Sequence, residues 1–485
     1  MRLPRPTLLH FAPLDSFAPA APMRRGLRST GGIFSKFVGS IMNAPSFIRR
    51  LVRSVVSPNE RRRAQRHARQ AIELCRALIS ERGEVSGAML ARDALAAYNS
   101  LAPAALPAFF DLLVSDFSPD TVELDATYAA FRAHPTQENL IRLQRCVEAP
   151  RQELFRRLNT ASGGTAALVT MRREVVASLK THPEWKGIDA DLGHLFGSWF
   201  NRGFLTLERI DWYTPAIVLE KLIEYEAVHE IAGWSDLRRR LASDRRCFAF
   251  FHPALPHEPL IFIEVALTRG LSAAIEPLLR PNAPQLEAHA ADTAIFYSIT
   301  NCQTGLRGIS FGNLLIKQVA ERLGHEFPRI KTFATLSPIP GFRAWLKNTL
   351  EQVRQAPEHA SEVELLAHLD KADWLHGGEQ AEHIRKALQP YAAYYLLHAK
   401  QDREAADAVA RFHLGNGARL ELVNWLGNDA PRGIQESFGI MVNYLYDHDS
   451  IENNHEAFVR DGAVVCSQEV DALLTDMEPR GTAVP

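Results

Sequence analysis

Cysteine is scarce in this chain. Its five residues, Cys75, Cys146, Cys247, Cys302 and Cys466, lie far apart with no C-x-x-C pair and an odd total. That argues against a disulfide framework or a zinc knuckle and fits a reducing compartment. An excess charge of one sign is also missing: 55 Lys plus Arg against 56 Asp plus Glu leave a net charge of −1. No global positive field is available to hold a nucleic acid, so an anionic ligand must be gripped locally. No uninterrupted apolar run approaches the roughly 18 residues of a membrane span. Lysine is rare too, 10 residues against 45 arginines, which with abundant alanine suggests a GC-rich genome and no particular activity.

What is present is an ordinary globular composition, 46% apolar and 23% charged over 485 residues, long enough for two or three domains. The first 56 residues carry nine Lys/Arg and one acid, Asp15. Residues 1–58 therefore read as a basic, disordered arm or a transit peptide, with Met23 and Met42 as later start sites. From 59 to 195 helix-period segments follow one another: Ala64–Ser80, Ala88–Ser100, Leu106–Phe117 and Gln137–Cys146. Pro119-Asp120, Pro135 and Ser162-Gly163-Gly164 break them. This is an all-α domain suited to scaffolding or oligomerisation. After about residue 240 short apolar runs appear, Cys247–Phe251, Leu260–Leu267, Ala294–Ile299, Ile330–Leu336 and Arg419–Trp425, which read as strands. The strand, helix, strand order over 294–336 implies two neighbouring strands covered by a helix. The region 196–485 is accordingly α/β or α+β.

Three stretches could carry chemistry. The strand A-I-F-Y-S-I leads into N-C-Q-T-G-L-R-G and a helix with Phe311, Leu314, Leu315, Val319 and Leu323 on one face, capped by Ser310 and ended by Gly324 and Pro328. Gly305 and Gly308 before a helix start make either a pyrophosphate cradle or an ordinary tight turn. The strand I-K-T-F-A-T-L ends in Ser337-Pro338, and the proline biases Ser337 to be extended, with its hydroxyl at the carboxyl end of a strand. That position suits a substrate contact, although S-P is also a common turn. In R-F-H-L-G-N-G-A-R-L a helical run from Glu404 approaches His413, and Gly415-Asn416-Gly417 then reverses the chain into the alternating strand. The histidine either caps that helix or, favoured as imidazolium by the C-terminal dipole, holds a proton for donation. His252 and His257, and the loop Asp447, His448, Asp449, Glu452 and His455, lack metal-site spacing, so no metal is expected. Arg245-Arg246 before a strand reads as solvated, with a phosphate contact as the alternative.

Together these stretches resemble the malonyl-CoA decarboxylase family. The blocks run in order from Trp199: W-F-N-R-G-F-L-T-L-E-R-I, A-I-F-Y-S-I, Q-T-G-L-R-G-I, L-I-K-Q-V, L-S-P-I-P-G-F, H-L-G-N-G-A, V-N-W, R-G-I and V-N-Y-L-Y. The resemblance implies a helical domain followed by a GNAT-like mixed α/β catalytic domain, an α+β chain overall. It also implies conversion of malonyl-CoA to acetyl-CoA and CO2 with no cofactor. It places catalytic roles on Ser337 and His413, with Tyr446 near them. The malonyl-CoA segment falls on Gln303, Thr304, Gly305, Leu306, Arg307, Gly308 and Ile309. Thr304 and Arg307 depart from the glutamines expected there. A homo-oligomer is implied by the resemblance and the long helical domain; the charge balance and the lack of an apolar span point to no nucleic-acid or membrane partner, and the Arg/Ala bias points to a bacterial cytoplasm or, if the arm is a transit peptide, a mitochondrial matrix. The alternatives are an acyl-CoA-dependent acyltransferase and a noncatalytic acyl-CoA sensor.

Overall fold

Apolar positions at helical spacing turn inward along α1 (Pro58–Ser80), α2 (Glu84–Asn99), α3 (Leu106–Asp116), α6 (Pro150–Asn159), α7 (Gly164–Ser178) and α8 (Lys186–Trp199), whereas α4 (Thr121–Ala133) buries only Thr127 and α5 (Gln137–Val147) half-buries Leu140, Leu143 and Cys146. The computed structural model describes residues 58–309, 315–353, 378–401 and 404–475, with Leu369 and Trp374. The basic arm up to residue 57, and the expected helix start from Ser310 through Phe311 to Leu314, lie outside the described residues. The polar breaks act as caps. Asp120 Oδ1 accepts from the N–H groups of Val122 and Glu123, Thr136 Oγ1 accepts from Asn139 N–H, and Gly163 enters α7 with φ +74°. No single helix among the described residues is long and apolar enough to cross a membrane.

The second part is a mixed sheet of β1 (Thr206–Ile210), β2 (Arg245–Phe251), β3 (Ile261–Thr268), β4 (Thr293–Asn301), β5 (Thr332–Thr335), β6 (Ser337–Pro338), β9 (Arg419–Asn424) and β10 (Met441–Leu445), with β7 (Lys400–Gln401) and β8 (Glu404–Ala405) as a separate small hairpin. The spatial order is β1-β2-β3-β4-β5-β10-β6, with β9 on β10. Neighbours are antiparallel except β4 and β5, whose parallel register pairs Phe296 with Thr335. That pair, with α11 (Leu315–Glu326) between its strands in sequence, is the expected strand, helix, strand unit. The chain is thus α+β: helices first, then a mixed sheet whose strands alternate with α9 (Ala216–Tyr225), α10 (Trp234–Arg240), α11, α12 (Phe342–Val353), α13 (Glu379–His398) and later helices.

One apolar core runs through both parts. Leu168, Phe196 and Phe200 from the helices belong to the same buried cluster as Phe250, Ile263 and Phe296 of the sheet. Several expectations are corrected. α11 passes through Gly324 before ending at Glu326. β1 precedes the expected first strand; it is an edge strand with Thr206, Glu208 and Arg209 exposed, so its apolar signal is thin. Arg245 and Arg246 are buried, not solvated. Arg245 Nη2 donates to Leu278 O (2.8 Å), and Arg246 pairs with Glu326 (2.7 Å). The helix that carries His413, α14 (Ala408–Gly415), begins at Asp407 and not at Glu404, which lies in β8.

Candidate active site

Ser337 follows β5 by one residue and enters β6, where its extended backbone pairs with Val442 of β10. Its hydroxyl lies on the same face as Thr335, two residues earlier, and donates to Thr335 Oγ1 at 2.8 Å. His413 arrives from α14. Asp407 starts that helix, its Oδ1 accepting from Val409 and Ala410 N–H (2.9 and 3.0 Å) and its Oδ2 from Gly341 N–H (3.2 Å). One carboxylate therefore ties the loop after Ser337 to the helix of His413. His413 Nε2 is 3.1 Å from Ser337 Oγ, and its Nδ1 is 2.8 Å from the Tyr446 hydroxyl. Tyr444 stacks on the imidazole with centroids 4.7 Å apart and an interplanar angle of 25°. Ser337, His413 and Tyr446, far apart in sequence, form one buried chain with Thr335.

Burial decides the protonation of His413. It holds the imidazole at about 3, against 6.5 for an exposed one. At 1.36 kcal/mol per unit that is about 5 kcal/mol against the imidazolium, whereas a helix C-terminus favours a cation by about 2 kcal/mol at most. The neutral form wins, which corrects the expectation of a stored imidazolium. One consistent proton order remains. Ser337 donates to Thr335, so the shared hydrogen at Ser337 Oγ must come from His413 Nε2–H, leaving Nδ1 to accept from Tyr446 O–H. The Tyr446 phenol is itself pushed well above its ordinary value by burial.

The chain opens on a cleft of about 580 Å³. Ile261, Ile263, Phe296 and Leu336 supply apolar wall, and Ser298, Ser337 and His413 supply polar groups. Such a mixture is typical of a small-molecule site. Ser298 Oγ donates to the buried Glu226 carboxylate, 2.8 Å from Oε2. Of the seven expected substrate residues, Ile309 lines this cleft. Gln303 Nε2 instead donates to Glu258 and to Pro259 O (both 3.3 Å), and Thr304–Leu306 forms a 3-10 turn. Gly305 and Leu306 are buried, whereas Thr304, Arg307 and Gly308 are exposed. Close approach at Gly305 is to α7: a Cβ there would run into the carbonyl oxygen of Val169. Gly308 has φ +81° and open space where a Cβ would point.

Thr335 and Asp407 were missed in the sequence, although an i, i+2 pair in a strand and an Asp before an apolar helix are readable signals. Cys302, beside the turn, is buried and its thiol is pushed up, so it is not activated. His252 Nε2 lies 3.1 Å from Trp199 O and His448 contacts Asp449 on the surface; neither joins a metal cluster. Among the described residues Asp111, His182 and Glu184 bring metal-ligand atom types together, but Asp111 accepts from Trp185 Nε1–H and His182 contacts Glu184.

Comparison with known proteins places the chain in a family. A family model described as the malonyl-CoA decarboxylase C-terminal domain matches residues 203–483, and one described as the N-terminal domain matches residues 117–200. The mitochondrial malonyl-CoA decarboxylase of Anser anser anser is 35% identical over 350 residues, 67% of this chain and 69% of that protein. The Mus musculus enzyme is 32% identical over 351 residues, covering 67% and 71%. A crystal structure of malonyl-CoA decarboxylase from Rhodopseudomonas palustris superposes with a TM-score of 0.79 at 49% identity, covering 84% of this chain and 99% of that one. Its counterpart from Agrobacterium vitis gives 0.79 at 46% identity, with the same coverage. With both family models matched and relatives of this identity and coverage, the chain belongs to the malonyl-CoA decarboxylase family.

Proposed function

We propose that this chain converts malonyl-CoA to acetyl-CoA and CO2, as a carboxy-lyase, in the cleft closed by Ser337 and His413. The observation that carries the reading is the buried hydrogen-bonded chain from Thr335 through Ser337 and His413 to Tyr446, placed at the wall of an apolar cleft. The acyl end enters the cleft, and the CoA portion lies against the turn Gln303–Ile309.

Loss of CO2 breaks the bond between the carboxyl carbon and the α-carbon, and the electron pair passes into the thioester, leaving an enolate with its charge chiefly on oxygen. Apolar wall around the carboxyl group favours the neutral product. Rotation of the Ser337 hydroxyl from Thr335 toward the cleft supplies a donor to the enolate oxygen, a contribution typically of about 3–4 kcal/mol. The α-carbon takes its proton from His413 Nε2 while Tyr446 passes the phenol proton to Nδ1; one solvent proton then enters at Nε2 from the cleft and Nδ1 returns its proton to Tyr446, which restores the starting tautomer. A thioester enolate carbon is more basic than imidazolate or phenolate, so a neutral imidazole suffices as the acid. The chemistry calls for donors and a proton, and treatment with a chelator is expected to leave turnover unchanged.

The test is purified protein with malonyl-CoA and no amine acceptor, following acetyl-CoA and CO2 together. Equal release of both is expected, with His413→Ala slowing turnover about 100- to 10,000-fold and Ser337→Ala about 100- to 1000-fold. Acylation that depends on an added amine would point to a transferase; tight binding without turnover would point to a sensor. The same reading takes the protein as a homo-oligomer of the bacterial cytoplasm in malonyl-CoA and fatty-acid metabolism, the mitochondrial matrix being the other compartment. Sedimentation and cell fractionation check these points.

A further inference from the structure

A buried cation of the helical part grips the substrate turn. Arg172 on α7 has 8% of its side chain exposed. Its Nε donates to Asp189 Oδ1 on α8 at 2.8 Å, and its Nη1 donates to two carbonyl oxygens of the turn, Gly305 O and Arg307 O, both at 2.9 Å. These are charge-assisted bonds, stronger than bonds between neutral groups. The same helix touches the turn a second time, one helical turn earlier, where the Val169 carbonyl occupies the space a side chain at Gly305 would need. Leu306 is fully buried in the shared core. With two carbonyls and one side chain drawn inward, the turn exposes Thr304, Arg307 and Gly308, and the next residue, Ile309, lines the cleft.

We propose that Arg172, held by Asp189, is a positioning residue that sets the substrate-facing conformation of the turn Gln303–Ile309, so that the helical domain determines malonyl-CoA affinity. The inference rests on the reading that this turn holds the CoA portion. Arg172 does not touch Ser337 or His413, which stand on β6 and α14. Its loss therefore weakens ground-state and transition-state binding alike and spares the chemical step.

Arg172→Lys keeps the charge but not the planar fork that meets Asp189 and two carbonyls together. Asp189→Asn is the milder variant if Arg172 proves necessary for folding. In the full-length enzyme both are expected to raise KM for malonyl-CoA, Arg172→Lys by about 10-fold or more, with kcat within about 3-fold of the parent. Arg172→Ala, where it folds, is expected to recover a low KM when guanidinium ion is added at non-denaturing concentration, a response that a purely structural defect would not give. Unchanged KM in all these variants, or a fall in kcat at constant KM, overturns the proposal. Arg307→Glu tests the reading beneath it by reversing charge on the outer side of the turn. If Arg307→Glu raises KM and the Arg172 and Asp189 variants do not, Arg172 alone loses its role. If Arg307→Glu also leaves KM unmoved, the assignment of the turn to CoA falls and the proposal falls with it.

Discussion

His413 is bonded at both nitrogens and buried, and those two facts set its protonation at the residue scale. Tyr446→Phe removes the donor to Nδ1 and keeps the ring; it is expected to lower kcat about 10-fold with KM unchanged, read from steady-state kinetics. Because the free enzyme holds His413 at about 3, kcat/KM is expected to show no titration of this group between about pH 5 and 8. A break near 6.5 would mean that solvent reaches the imidazole. Stability follows the same sign. His229 is likewise held at about 3, by burial first and then by the Arg240 and Arg432 guanidinium groups, and its Nε2 has no hydrogen-bond partner among the described residues. Between 6.5 and 3 the unfolded chain binds these protons and the folded chain does not. Each histidine therefore removes stability as pH falls through that window, by about 1.4 kcal/mol per pH unit. His229→Asn is expected to flatten the acid limb of the stability profile, measured as the urea midpoint from pH 7 to pH 4.

Among the elements, α14 shows how local signals and a distant contact share one job. Asp407 starts it, and Asn416 and Gly417 end it, with Gly417 N–H bonded to Leu414 O at 2.9 Å. Gly417 has φ +81°, and a Cβ there would run into the carbonyl oxygen of Ile451 at the start of a later helix, Ile451–Asp461. Gly417→Ala is expected to cost about 3 kcal/mol or more, combining a left-handed backbone with a blocked approach. Thermal denaturation measures the loss, and activity per folded molecule reports any shift of His413. The turn G-N-G was legible in the sequence as a chain reversal. What it had to avoid, the backbone of Ile451, was not. Strand β10 was likewise present as the motif V-N-Y-L-Y yet not recognised as a strand. Met441–Tyr444 are buried without interruption, so the alternation that marks a half-exposed strand is missing.

For the whole molecule, the shared core makes the helices more than an appendage. Phe196 and Phe200 are fully buried in the cluster that also holds Phe250, Ile263 and Phe296. Residues 203–475 expressed alone would expose that face, and are expected to give an aggregated or molten product, shown by dye binding and the loss of near-UV circular dichroism. An independently folded fragment with a sharp thermal transition would contradict a single core.

The sequence by itself determined the helical first part, most of the strands, the parallel pair around the glycine turn, and the family to which the chain belongs. These depend on periodicity, turn chemistry and blocks of contiguous residues, all of them local. It also named Ser337, His413 and Tyr446, through their motifs. Only the tertiary structure decided that Ser337 and His413 lie 3.1 Å apart, that Thr335 and Asp407 hold them, and that His413 is neutral. It decided as well that Arg172, more than 130 residues from the turn it grips, joins the helices to that turn. Distance between residues remote in the chain and the loss of water around a charge are properties of packing, and no local pattern encodes them.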